Sequence, residues 1–204
     1  MARCNLPRDP YNVIITGVGG QGNVMASRVL GNMLVRDGYY VTIGETFGAS
    51  QRGGAVMSHL RISGRSSWSP QIPKGGTDEV VALEPIEGIR VLKLYGNHRT
   101  MVLSNTRPIY PPRVITGELD YPLMDQIEAS VKALASKAWF IDATDEALKL
   151  GNPILGNIIM LGALSRVSAM PLEREGFEGV VSEMIPKDKL EVNLRAYDIG
   201  RELI

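Results

Sequence analysis

Two glycine clusters hold this chain's best prospect of chemistry: Gly17-Val18-Gly19-Gly20-Gln21-Gly22 and Gly48-Ala49-Ser50-Gln51-Arg52-Gly53-Gly54. The first follows the apolar run Val13-Ile14-Ile15 and opens an amphipathic segment, so a strand, a tight turn and a helix N-terminus converge there. Backbone N–H groups in that setting face an anion, which makes Gly17, Gly19, Gly20, Gln21 and Gly22 candidate phosphate-binding positions. The second cluster starts just past the next strand, and a parallel sheet would put it beside the first on the carboxyl edge. Within it Arg52, flanked by Gln51 and Gly53, presents a guanidinium on bare backbone that can pair bidentately with phosphate or carboxylate. Ser50 and Gln51 add neutral groups of the kind that fix an acyl or amide portion of a ligand.

Each feature also has a plainer reading. Glycines permit a sharp strand-to-helix turn and close helix–sheet packing without any ligand, and an arginine in a loop can satisfy loop carbonyls. Glu45 ends the second strand roughly 20 residues on, where a dinucleotide fold places its ribose carboxylate, so a nicotinamide cofactor stays open. Against it, Glu45 runs directly into the second glycine cluster instead of into another helix.

No other constellation supports self-contained chemistry. His59 lies mid-strand and His98 in a turn, neither with a Cys, His or carboxylate at ligand spacing. No Ser-His-Asp order, paired-carboxylate signature or metal motif is present, so no residue is assigned a catalytic or metal-binding role. The one cysteine, Cys4, excludes an internal disulfide and any cysteine-ligated cluster built by this chain alone. Lys and Arg number 22 and Asp and Glu number 22, so no global field favours nucleic acid or an anionic membrane. Such neutrality gives little colloidal protection and suits a chain covered by a partner. The N-terminus has no apolar signal segment and no stretch reaches the roughly 18 apolar residues of a membrane span, so a cytoplasmic protein is expected.

The elements that must position the glycines are readable from periodicity. Val13 to Thr16 reads as a buried strand, Asn23 to Arg36 as a helix with Ala26, Val29, Leu30, Met33 and Leu34 on one face, and Tyr39 to Ile43 as a second strand. Ala55 to Ile62 alternates apolar with polar, as an edge or mixed-sheet strand with one wet face does. Asp78 to Leu83, Pro85 to Tyr95 and Thr100 to Ser104 predict a second β-α-β unit. Residues 107 to 122 carry Pro108, Pro111, Pro112 and Pro122 and predict an extended arm or β-ribbon. A helix from Leu123 to Lys137 and a strand from Ala138 to Ile141 follow, with Asp142 placed to cap the next helix. Helices over 154–167, 173–185 and 190–203 finish the chain. The expected fold is α/β: one domain over 1–204, three-layer and Rossmann-like, with a mainly parallel sheet, an irregular Pro-rich arm and a helical C-terminal section. Asn157, between Gly156 and Gly162 in an almost wholly apolar helix, is either hydrogen-bonded inside the fold or part of a close subunit contact.

These residues resemble a known family. The first glycine turn, the run from Glu45 through Ser50-Gln51-Arg52-Gly53-Gly54 to Arg61, the segment Asn157 to Leu164 and the segment Asn193 to Gly200 are similar to the gamma-type domain of the 2-oxoacid:ferredoxin oxidoreductases. In length the chain resembles the stand-alone small (beta) subunit of the indolepyruvate type. The resemblance implies oxidative decarboxylation of an aryl 2-oxoacid such as indolepyruvate, with coenzyme A as acyl acceptor and ferredoxin as electron acceptor. It further implies that thiamine diphosphate and iron–sulfur clusters sit on a large (alpha) partner subunit. This chain would then be inactive alone, closing the partner's site and offering phosphate-binding loops for coenzyme A through Gly19, Gly20, Gln21, Gly22, Ser50, Gln51 and Arg52. Homo-oligomerisation is compatible with that role, as is partner specificity carried by the 107–122 arm. Two other classes stay in view: a free-standing NAD(P) enzyme, and a non-catalytic assembly subunit whose glycine loops bind nothing.

Overall fold

The computed structural model describes residues 6–48 and 54–204. Apolar side chains on both faces of Val13-Ile14-Ile15 call for cover on both sides, and β1 (Tyr11–Val18) is buried along its whole length. It runs through the glycine turn into α1 (Asn23–Arg36), whose apolar stripe packs on one face of the sheet. Gly38, at φ 86°, ends that helix in the left-handed conformation. Then follow β2 (Tyr40–Phe47), β3 (Ala55–Ser63), β4 (Glu79–Ala82), α2 (Pro85–Tyr95), β5 (Met101–Asn105), α3 (Pro112–Ile115), α4 (Met124–Leu134) and β6 (Lys137–Ile141). The chain closes with α5 (Ala143–Lys149), a 3-10 turn (Pro153–Leu155), α6 (Gly156–Val167), α7 (Arg174–Met184) and α8 (Lys187–Glu202).

The sheet order is β2-β3-β1-β4-β5-β6. Strands β1, β4, β5 and β6 are parallel neighbours, whereas β3 runs antiparallel to both β1 and β2. The first β-α-β unit, β1–α1–β2, keeps the shared strand direction, and β3 is inserted between its two strands. The period-2 pattern could not disclose this, because it records which residues face a core and is silent about the strand alongside. Of the two expectations for β3 the mixed-sheet strand holds, since it is the antiparallel member of the sheet, and the edge position with one wet face is corrected. β3 is an inner strand with neither face wet. Leu60 and Ile62 meet α1, while on the other face His59 meets the Tyr95 ring edge-on at 5.0 Å and Arg61 lies 5.0 Å from the Trp68 ring centre. The Ser/Pro/Gly-rich segment 64–76 folds back over that face, where Arg61 donates to Ser69 and Gln71 and His59 Nδ1 accepts the Ile72 N–H. Burial holds the His59 pKa below its ordinary value, so it is a neutral structural group. His98 is exposed beside Arg99.

Helices α1, α5, α6, α7 and α8 cover one face, and α2 and α4 cover the other. Gly162 and Gly200 set the α6–α8 crossing: a Cβ on either would run into a carbonyl of the facing helix, that of Tyr197 or of Ile159. The Tyr197 ring stacks on Phe177 at 4.1 Å and its hydroxyl donates to the Leu172 carbonyl, which ties α8 to α7. Gly162 thus serves packing within the chain, and so does Asn157. Asp142 precedes α5 as expected, but its side chain does not cap that helix; it accepts the Thr106 hydroxyl instead. The arm is likewise not a ribbon. It contains the single turn of α3 and folds back on the buried Glu84, which accepts the Ile109 N–H and the Tyr121 hydroxyl.

Candidate functional site

The first glycine cluster forms a turn at the carboxyl end of β1, with Gly20 at φ 108° and Gly22 at φ 80°. Both conformations are strained for any side chain, and a Cβ on Gly22 would also strike the Asn157 amide. Side chains then lock the turn. Gln21 Oε1 accepts the Val18 N–H at 2.8 Å and its Nε2 donates to the Leu83 carbonyl at 2.8 Å, which joins β1 to the end of β4. Asn105, at the end of β5, donates to the same carbonyl and to the Thr144 hydroxyl of α5. From α6, Asn157 donates to the Gly22 carbonyl at 3.1 Å. Five elements converge on one short turn.

This geometry divides the expected ligands. The Gly19 N–H donates to the Gly54 carbonyl at 2.8 Å and the Gln21 N–H to the Val18 carbonyl at 3.2 Å, so both amides are engaged within the fold. Among the described residues the N–H groups of Gly20 and Gly22 have no partner, and they open the N-terminus of α1. The Gln21 side chain is a brace, and Gly17 makes room for it, since a Cβ there would sit 2.5 Å from Gln21 Oε1.

The second cluster begins and ends at this rim. The Gly48 N–H donates to the Ala55 carbonyl at 2.7 Å, and Gly54 meets Gly19. Ser50, Gln51, Arg52 and Gly53 lie outside the described residues. Glu45 does not join the group. It is exposed on the outer strand β2, paired with Ser58, with β3 between it and β1, so the ribose position of a dinucleotide fold is not reproduced.

A recess of about 590 Å³ opens in front of the turn, lined by Gly19, Gly20, Gln21, Arg107, Thr144 and Asn152. Arg107 escaped the sequence reading because it opens the proline-bearing arm. The available signal was its place just beyond β5, since ligands in such sheets bind outside the carboxyl ends of the strands. Its guanidinium pairs with Asp145 at 2.8 Å, and both side chains are about half exposed, so the pair is weak enough to yield to an anion. One fixed turn with free amides and one nearby guanidinium can hold a phosphate.

Residues 12–203 match the model of the family described as pyruvate ferredoxin/flavodoxin oxidoreductase. The chain belongs to that family. This oxidoreductase subunit is 36% identical over 191 residues to "Indolepyruvate oxidoreductase subunit IorB" of Thermococcus kodakarensis, covering 93% of this chain and 94% of that one. Its fold matches the pyruvate oxidoreductase subunit PORC of Thermotoga maritima with TM-score 0.72 and 23% identity, over 96% of this chain and 97% of that one. It also matches 31% of the longer chain of a 2-oxoglutarate:ferredoxin oxidoreductase from Magnetococcus marinus, with TM-score 0.72, 20% identity and 96% of this chain covered. That structure holds 2-oxoglutarate, coenzyme A and succinyl-CoA. The present chain is the small subunit of a multi-subunit 2-oxoacid oxidoreductase and has larger partner subunits. The free-standing NAD(P) reading is not favoured, in keeping with the place of Glu45. Among the described residues no helix is long and apolar enough to cross a membrane.

Proposed function

We propose that this subunit works in an indolepyruvate-type 2-oxoacid:ferredoxin oxidoreductase, and that its glycine rim holds a phosphate of coenzyme A while the partner subunit carries out the carbon and electron chemistry. The likeness to the indolepyruvate subunit over nearly the whole of both chains carries the substrate class. The unpartnered amides of Gly20 and Gly22 beside Arg107 carry the phosphate assignment. Neutral hydrogen-bond donors on a helix N-terminus and one half-exposed cation suit a pyrophosphate or phosphomonoester. The division of labour has its own support: with one cysteine, this chain has too few thiolates for the four-cysteine ligation of an iron–sulfur cluster. Thiamine diphosphate, held by the partner, supplies the carbanion-stabilising chemistry of 2-oxoacid decarboxylation.

Within this reading, Gly20 and Gly22 bind and orient the anionic end of the acceptor, and Gln21, Asn105 and Asn157 keep the turn in shape. The test is ferredoxin reduction by the chain co-produced with its large subunit, with indolepyruvate and coenzyme A supplied together. Turnover that needs both, and is faster with indolepyruvate than with 2-oxoglutarate or pyruvate, is expected. Turnover indifferent to coenzyme A would overturn the phosphate assignment.

A further inference from the structure

Five large apolar side chains stand exposed in the short stretch from Ile109 to Leu123: Ile109, Tyr110, Ile115, Leu119 and Leu123. Ile115 is 74% exposed and Leu123 71%. Elsewhere exposed apolar residues occur more thinly, and single ones need no explanation. The arm's shape is nevertheless built. Buried Glu84 anchors it by accepting from Ile109 and Tyr121, the Tyr110 and Tyr121 rings meet edge-on at 5.1 Å, and Arg113 pairs with Glu118 at 3.1 Å. Its two arginines, Arg107 and Arg113, are therefore both paired within the chain, and the hydrocarbon is left facing out. Under the arm lies a recess of about 180 Å³ with room for one bulky side chain; its exposed lining is mainly apolar, from residues such as Ile86, Ile109, Val114 and Leu119, with the charged Glu84, Glu87, Arg90 and Asp120 also on its wall.

We propose that this arm surface is where the large partner subunit docks, with an apolar anchor of the partner entering the recess. The inference rests on the functional reading above, and three observations select this occupant. The chain has larger partner subunits, so a substantial interface must exist somewhere on it. Ile109 lines both the arm recess and the recess in front of the glycine turn, so a body seated on the arm also closes the rim where the ligand must meet the partner's chemistry. A fixed, outward-facing apolar surface with a pocket for an anchor, its cations already paired, is the make-up of the core of a permanent interface.

Co-production of the two subunits followed by size exclusion tests this. Wild-type small subunit should co-elute with the large one, whereas the double variant Ile115→Asp/Leu123→Asp should be retained at least tenfold less, with an unchanged circular-dichroism spectrum and melting temperature. Leu94→Asp, at an exposed position of α2, should co-elute like wild type. Full co-elution of the double variant beside a wild-type complex, or a loss as great with Leu94→Asp, would overturn the docking surface alone. Its loss of self-association with the large-subunit complex intact would assign the face to a second copy and also overturn it. Failure of wild type to co-elute would remove the functional reading and this inference together.

Discussion

The N–H of Gly19 donates to the carbonyl of Gly54 across 2.8 Å, so the first glycine turn is bonded to the end of the second glycine cluster. That contact exists because β3 pairs with β1 and starts at the carboxyl edge, which sets Gly54 beside the first turn. Either strand order brings the end of β2 to that edge, but the antiparallel insertion also returns Gly54 to it, while the Gly20 and Gly22 amides stay free among the described residues.

Gly162 and Gly200 are the tightest point of the packing behind that rim. Gly162→Ala or Gly200→Ala must push α6 from α8 by the width of a methyl group against backbone, and is expected to cost about 1–3 kcal/mol. Urea denaturation of the isolated chain reads the loss, and unchanged midpoints for both variants would show that the helices can part freely.

Tyr121→Phe removes the hydroxyl that Glu84 accepts and leaves a buried carboxylate one donor short, a loss of about 1–3 kcal/mol at the arm's base. The arm should then open locally. Tryptic cleavage after Arg113, timed under native conditions, is expected to accelerate several-fold, with cleavage sites outside the arm unaffected.

Glu79 links three parts of the core, accepting from Tyr11 at 2.7 Å and from Ser168 at 2.9 Å. Burial outweighs these hydrogen bonds and pushes its pKa up to about 7 from 4.5. Between those two values the folded chain holds a proton that the unfolded chain has released, so stability should fall as pH rises through the window, by about 3 kcal/mol. Neighbouring Asp78 has its pKa raised by burial as well and slopes the same way. Glu79→Gln should flatten the profile between pH 4.5 and 7. Parallel wild-type and variant profiles would contradict this assignment.

Much of the fold was legible because its signals are local. The stripe of α1, the Pro85 start of α2 and the run of β1 each declare their element within one short stretch of chain. What was not legible depends on partners distant in sequence. Ala55 to Ile62 alternates as a half-wet strand does, yet its polar side chains Arg61 and His59 are covered by a loop that binds them. Gln21 looks like a ligand in the glycine motif, but its amide reaches Leu83, 62 residues on. Arg107 gave no motif at all, since its nearness to Gly20 follows from the sheet order. Asn157 was half legible: a hydrogen bond inside the fold was one of its two readings, but the target at Gly22 was not foreseen.

The central claim is that the turn holding Gly20 and Gly22, with Arg107, grips a phosphate of coenzyme A. It is tested most directly by equilibrium titration of coenzyme A, and separately of pantetheine, into the assembled complex containing wild-type chain or Arg107→Ala. Loss of a charge-assisted contact of about 1.5–3 kcal/mol predicts coenzyme A binding roughly 10- to 100-fold weaker in the variant. Pantetheine, which lacks the phosphates, should bind both forms equally. Equal affinity of both complexes for coenzyme A, or an equal loss for the two ligands, would contradict the account.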